Sequence, residues 1–155
     1  MSLDDDISVI ANAALFSRLS REQLRLLAFG AETVEFPKGA VIFRQGDQAD
    51  HGCVIASGTV ETRITTSRGD KTLKMLSPPA LLGQMALITE SRRAVTAIAN
   101  THVSILQVNR ALFRRILREY PDTAAAIHAD LKRDLKSFLN DISRLEERFK
   151  NITDL

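Results

Sequence analysis

Residues 82–97 read LGQMALITESRRAVTA, and they concentrate the side chains best suited to hold an anion. Arginine offers a planar fork of donors that matches a phosphate or carboxylate, and Arg92 and Arg93 stand side by side here. Ahead of them GQMALI neither alternates like a strand nor runs on like a long helix, so it reads as one helical turn. The first N–H groups of any helical turn lack internal partners, and negative charge is favoured there. Gly83 lets a ligand approach the backbone, Ala86 leaves room above the turn, and the Gln84 amide is within reach of a sugar hydroxyl. With Arg93 returning over it, this combination makes a phosphate cradle. A plainer reading uses the same residues: the arginines are a solvated turn and GQMALI is a bulge in a sheet.

Other chemistries find no support. His51, His102 and His128 show no metal-ligand spacing with one another or with Cys53. An iron–sulfur cluster needs about four thiols, and there is one cysteine. No G-x-S-x-G nucleophile motif occurs, nor the clustered His and Glu ligands of cupin-type enzymes. The expectation is a protein that is not an enzyme and holds no metal.

The elements around the cradle follow from periodicity. At 155 residues, 45% hydrophobic and 26% charged, the chain has the size and mixture of about one globular domain. A formal charge of +2 does not argue for nucleic acid. Arg92, Arg93, Arg110, Arg114, Arg115 and Arg118 cluster in one stretch, and most read as solvated faces. Cys53 lies in the apolar run HGCVIAS, as a buried small hydrophobe would, and a lone cysteine fits a reducing compartment. The start MSLDDDISVI is acidic, unlike a signal peptide, and no window reaches the roughly 18 apolar residues of a membrane span. These features predict a soluble, cytoplasmic protein without a membrane partner.

Ser20 and Gln23 have capping-box spacing before LRLLAF, and Gly30 offers a stop. Short apolar runs then recur: TVEF, AVIF, GCVIAS, TVETRI, KTLKML, VTAIA and VSILQV. Turn signals PKG, QGDQAD, SRGD and SPP separate them. Such spacing predicts a β-sandwich or jelly roll rather than βαβ units. From Asn109 the period becomes helical: RALFRRILREY aligns Leu112, Phe113, Ile116 and Leu117, Pro121 ends this helix, and Asp122 caps the next.

In the last segment Leu131, Leu135, Phe138, Ile142, Leu145, Phe149 and Ile152 follow an a/d heptad spacing. Two packings fit: a helix laid across its own β-domain, or a two-stranded coiled coil joining two copies. A helix over residues 122–155 extends about 50 Å, longer than a small domain covers, which favours a homodimer. Its first turns can still pack in cis and its later ones in trans. The expected organisation is residues 1–120 as a β-roll with flanking helices and 121–155 as a lid and dimerisation helix.

Read in register, LGQMALITESRRAVTA resembles the phosphate-binding cassette of cyclic nucleotide-binding domains, roughly F-G-E-x-A-L-x-x-x-x-P-R-x-A-T. Gly83, Ala86, Leu87, Arg93 and Thr96 fall on matching positions without a gap. Upstream, LFSRLSREQLRLLAFGAETVEFPKGAVIFRQGDQAD is similar to the family's first helix and strands, with IFRQGD and ASGTVE as its recurrent turns. The resemblance spans about residues 13–120, and the last helix agrees with the dimerising helix of the catabolite-activator branch. It implies a mainly β fold with flanking helices: a double-stranded β-helix (jelly roll) with an N-terminal helix and a long C-terminal dimerisation helix. It also implies that Arg93 pairs with a cyclic phosphate, that the Ala94 N–H joins it, and that the backbone around Gly83, Met85 and Ala86 faces phosphate and ribose.

Three departures from the pattern matter. Gln84 replaces the acidic residue that takes the ribose 2′-hydroxyl, and Arg92 replaces a proline. Counting on from the cassette puts Phe138 and Leu139 where polar residues of the bacterial activators meet adenine, so the lid here is apolar and base selectivity is not inherited. Those activators continue into a helix-turn-helix domain, whereas this sequence ends at Leu155; the expectation is a stand-alone domain without direct DNA binding. The function implied is a homodimeric sensor of cAMP, or less readily cGMP, with no cofactor beyond that ligand, signalling through its last helix to an unknown downstream protein. The alternatives are a non-binding dimeric scaffold, or a pocket for another phosphorylated or acidic ligand.

Overall fold

The computed structural model of the chain describes residues 3–133 together with 136 and 140, the side chains of Ala14 and Met85 apart. It opens with helix α1 (Leu3–Asn12), a 3-10 turn (Ala14–Phe16) and helix α2 (Arg21–Gly30). The Ser20 hydroxyl accepts from the Gln23 N–H at 3.2 Å while Gln23 Oε1 accepts from the Ser20 N–H at 2.9 Å. This is the reciprocal cap that the spacing predicts. Sequence reasoning did not separate helix α1, although Ser2 three residues before Asp5 and the acidic first turn ahead of ISVI are helix-start signals.

Gly30 ends α2 for a reason other than a left-handed cap. The C-cap is Ala31, in extended conformation, and a Cβ on Gly30 would overlap Leu112 Cδ2. A side chain at residue 30 would have to displace Leu112 of the later helix α3 (Arg110–Glu119).

Ten strands follow among the described residues: β1 (Glu32–Phe36), β2 (Val41–Phe43), β3 (Gln48–Ala49), β4 (His51–Ser57), β5 (Val60–Thr66), β6 (Gly69–Leu76), β7 (Leu81–Leu82), β8 (Ser91–Arg92), β9 (Thr96–Ala99) and β10 (Val103–Asn109). They form antiparallel sheets in the orders β1-β10-β4-β7 and β2-β9-β5-β6, with β3 and β8 paired separately. The fold is the expected double-stranded β-helix.

Between the two larger sheets lie Cys53, Ile55, Val60, Leu82, Ala97, Ala99, Val103 and Ile105. Strand β4 is buried on both faces, which is why GCVIAS reads as a continuous apolar run. Cys53 and Ile55 face this inter-sheet core, while Val54 joins a second core beneath the helices with Ile10, Phe16, Leu27, Phe113 and Ile127. There the Phe16 and Phe113 rings meet edge to face, 5.6 Å apart at 74°.

Asn109 caps α3, its Oδ1 accepting from the Ala111 N–H at 2.7 Å. The Tyr120 N–H closes that helix on Ile116 O at 3.0 Å, and the Ala124 N–H donates to Tyr120 O at 3.0 Å. Pro121 therefore begins the next helix (α4, described over 121–133) as well as stopping the previous one, and Asp122 lies inside its first turn instead of capping it. Proline suits a first helical position because the N–H it lacks has no partner there.

The described part of α4 packs in cis. Ile127 is buried in the helix-side core, and Leu131, the first residue of the heptad seam, rests partly on it. Arg18 Nε and Nη2 donate to the two Asp130 oxygens at 2.9 and 3.2 Å, tying α4 to the N-terminal helices. Leu135, Phe138, Leu139, Ile142, Leu145, Phe149 and Ile152 lie outside the described residues.

Candidate functional site

Strand β7 pairs with β4, Leu82 opposite Cys53, and ends at Gly83 with φ +74. This left-handed backbone turns the chain out of the sheet and into the 3-10 turn Gln84–Leu87. The Ala86 N–H donates to Gly83 O at 3.0 Å, which closes the turn and engages that group internally. Leu87 anchors the turn from below: it is fully buried in the helix-side core with Phe113, Ile116 and Ile127. Close approach of β4 to Leu87 needs Gly52, where a Cβ would stand 2.9 Å from Leu87 Cδ1. The head of the turn, carrying the Gln84 and Met85 N–H groups, lacks intrahelical partners.

Arg92 ends β8 and Arg93 follows it, and the two differ in burial. Arg92 is exposed, its Nη1 donating to Gly46 O at 3.0 Å. Arg93 is only 5% exposed. Its Nη2 donates to His51 O at 2.9 Å and its Cζ lies 4.3 Å from the centroid of the Phe43 ring. The other terminal nitrogen, Nη1, is buried, lies against Gly83 and has no hydrogen-bond partner among the described residues.

A cavity of about 250 Å³ opens in front of it, walled by Phe43, Gly83, Gln84, Ala86, Ala94 and Arg92 among others. Among the described residues no carboxylate lines it. The Cys53 thiol behind the site gives no counter-charge, since burial pushes its pKa up to about 11, opposed only by the Arg93 charge. A desolvated guanidinium with an unused donor is costly unless an anion arrives to pair with it.

The loop 44–47 clasps Arg93 from outside. The Arg93 N–H donates to Asp47 O at 2.7 Å, and Arg93 O accepts from the Gly46 N–H at 2.8 Å. Thr96 Oγ1 accepts from the Gln45 N–H at 3.0 Å, so this motif residue supports the loop. Ala94 is exposed at the rim.

The structure thus brings Gly83, Gln84, Ala86, Arg93 and Ala94 around one cavity, with Met85 in the same turn as Gln84 and Ala86 and with Thr96 supporting the adjoining loop. Sequence reasoning missed Phe43 and His51, which seat Arg93; the only available signal was the turn IFRQGD, whose phenylalanine reads as ordinary core.

A larger cleft, about 580 Å³, lies across the β3–β8 pair and is lined by Gln48, Asp50, Glu90, Arg92 and Arg110. Its charges balance and it contains no buried unpaired group among the described residues, so it lacks the electrostatic demand of the smaller cavity. Among the described residues no three His, Cys, Asp or Glu side chains converge on a metal position. His51 and His102 instead meet the carboxylates of Asp50 and Glu35, each at 2.7 Å.

The fold is a double-stranded β-helix with a helical turn set into it and a buried arginine against that turn. The family model described as cyclic nucleotide-binding domain matches residues 33–120, more than half of the sequence. The chain belongs to the cyclic nucleotide-binding domain family. It is 34% identical over 111 residues to a cAMP-dependent protein kinase regulatory subunit of Dictyostelium discoideum, covering 71% of this chain and 34% of that protein. The cyclic AMP receptor protein of Thermus thermophilus is 33% identical over 134 residues, 80% of this chain and 62% of the receptor. A solved cyclic nucleotide-binding-like protein from Brucella abortus superposes with TM-score 0.68 at 39% identity, over 74% of this chain and 99% of that one. The N-terminal domain of a transcriptional regulator from Streptomyces coelicolor gives TM-score 0.76 at 26% identity, over 86% and 94%. The chain spans 34% and 62% of the length of the two named sequence relatives.

Proposed function

We propose that this domain is a sensor that takes a cyclic nucleotide, cAMP in preference to cGMP, with the cyclic phosphate on Arg93 and on the head of the turn Gln84–Leu87. The observation that carries the reading is the buried Arg93 Nη1, which among the described residues has no partner and faces a cavity that no carboxylate lines. The relatives named for cAMP support the choice of base. The Ala94 N–H would join the phosphate and Gln84 the ribose, with Phe138 and Leu139 closing over the base.

Leu87 supports a route for the signal. It belongs to the cassette turn and is packed among Phe113 and Ile116 of α3 and Ile127 of α4. A ligand that draws the turn toward itself shifts this contact and moves the helices. The response then passes to a protein partner through the last helix, which joins two copies along the seam beyond Leu131. In this reading the domain is cytoplasmic, catalyses nothing, needs no cofactor beyond its ligand and does not itself touch DNA or membrane; no described helix is long and apolar enough to cross one.

Titration calorimetry with cAMP and cGMP tests the proposal. Micromolar binding, tighter for cAMP, is the expected result. Absence of heat with both nucleotides, from a folded protein, would support the scaffold reading, in which stacking on Phe43 is what Arg93 is retained for.

A further inference from the structure

Arg110 is the first residue of α3, and a helix N-terminus is a poor place for a cation because the helix dipole favours negative charge there. No acidic residue stands in that first turn to compensate. The side chain instead leaves the helix. Its Nη1 donates to Thr89 O at 3.0 Å and to Ala49 O at 3.2 Å, and the Arg110 N–H donates to Asp50 O at 3.0 Å.

Of these acceptor residues Ala49 borders the cradle, and Asp50 and Thr89 lie within two residues, along the chain, of residues that do. Thr89 lies between the cassette turn and β8, and Ala49 lines the cavity and pairs with Ser91. Since Arg93 takes His51 O, three consecutive carbonyls, those of Ala49, Asp50 and His51, are each held by Arg110 or Arg93. The strip on which Arg93 is seated is therefore fixed from α3.

We infer that Arg110 is a positioning residue of the cradle: it holds the strip 49–51 and the segment leaving the cassette turn to the start of α3, so that Arg93 faces Gly83 and cavity and helix move together. The inference rests on the cyclic nucleotide reading for its ligand, and on ligand-free contacts for its geometry.

The test compares the parent with Arg110→Met and Arg110→Lys by cAMP titration, and by amide hydrogen exchange without ligand. Arg110→Met is expected to weaken cAMP by about tenfold, the loss of charge-assisted bonds to two carbonyls, with Arg110→Lys recovering part of it. Affinity of Arg110→Met within about twofold of the parent would overturn the inference, since that is less than one such bond contributes. If the parent binds neither cAMP nor cGMP, the cyclic nucleotide reading fails and exchange alone decides. Faster exchange at residues 89–93 in Arg110→Met, with α1 unchanged, then upholds the positioning role, and parental exchange there overturns it.

Discussion

Arg93 Nη1 stands where a β-carbon on residue 83 would have to be. The close approach and the φ of +74 at Gly83 together leave no room for any side chain at the entry to the cassette turn. Gly83→Ala should cost about 1–2 kcal/mol in thermal or urea unfolding, from left-handed backbone strain, and should weaken cAMP by displacing the guanidinium. Parental stability and affinity would show that the entry tolerates a side chain.

Gln84 sits half-buried at the cavity wall as a neutral amide. Restoring charge with Gln84→Glu should tighten cAMP by about 1 kcal/mol, roughly fivefold, if the side chain meets the 2′-hydroxyl. Weaker binding in calorimetry would place that carboxylate against the phosphate.

Cys53 gives a pH dependence with a definite sign. Burial raises its thiol from 9.0 to about 11 in the folded chain, so the unfolded chain loses this proton first as pH rises. Its contribution to stability is complete below pH 9 and falls through the interval up to about 11. Urea midpoints should therefore drop more steeply across that interval for the parent than for Cys53→Ala. Equal slopes would show that the thiol is accessible to solvent.

The last helix separates into two halves by consequence. Ile127→Ala should destabilise the monomeric fold by about 2–4 kcal/mol, because it leaves a void in the helix-side core. Leu145→Asp, on the proposed seam, should leave that fold intact and yield monomers in light scattering. A dimer that persists would return the distal helix to its own domain.

Much of this was legible beforehand because it is carried by periodicity and spacing. TVEF, GCVIAS, TVETRI and VSILQV fall in strands β1, β4, β5 and β10, and Ser20 with Gln23 forms the predicted box. The helical turn in GQMALI was visible since it breaks strand alternation. The two-residue strands β3, β7 and β8 were not, being too short for any period to register. Nor was the seat of Arg93: Phe43 and His51 meet it only across the fold, and one of those contacts is to a backbone carbonyl that every residue possesses. Gly30 shows the same limit, because the side chain it faces, Leu112, is distant in sequence.

The most direct measurement is cAMP titration of Arg93→Met beside the parent, with the unfolding of both ligand-free proteins recorded. If Arg93 is the anion's partner, binding vanishes while stability stays within about 1 kcal/mol, since removing an unpaired buried donor offsets the lost bond to His51 O and the contact with Phe43. Undiminished binding would contradict the cradle, and a collapse of the ligand-free fold would make Arg93 a structural residue.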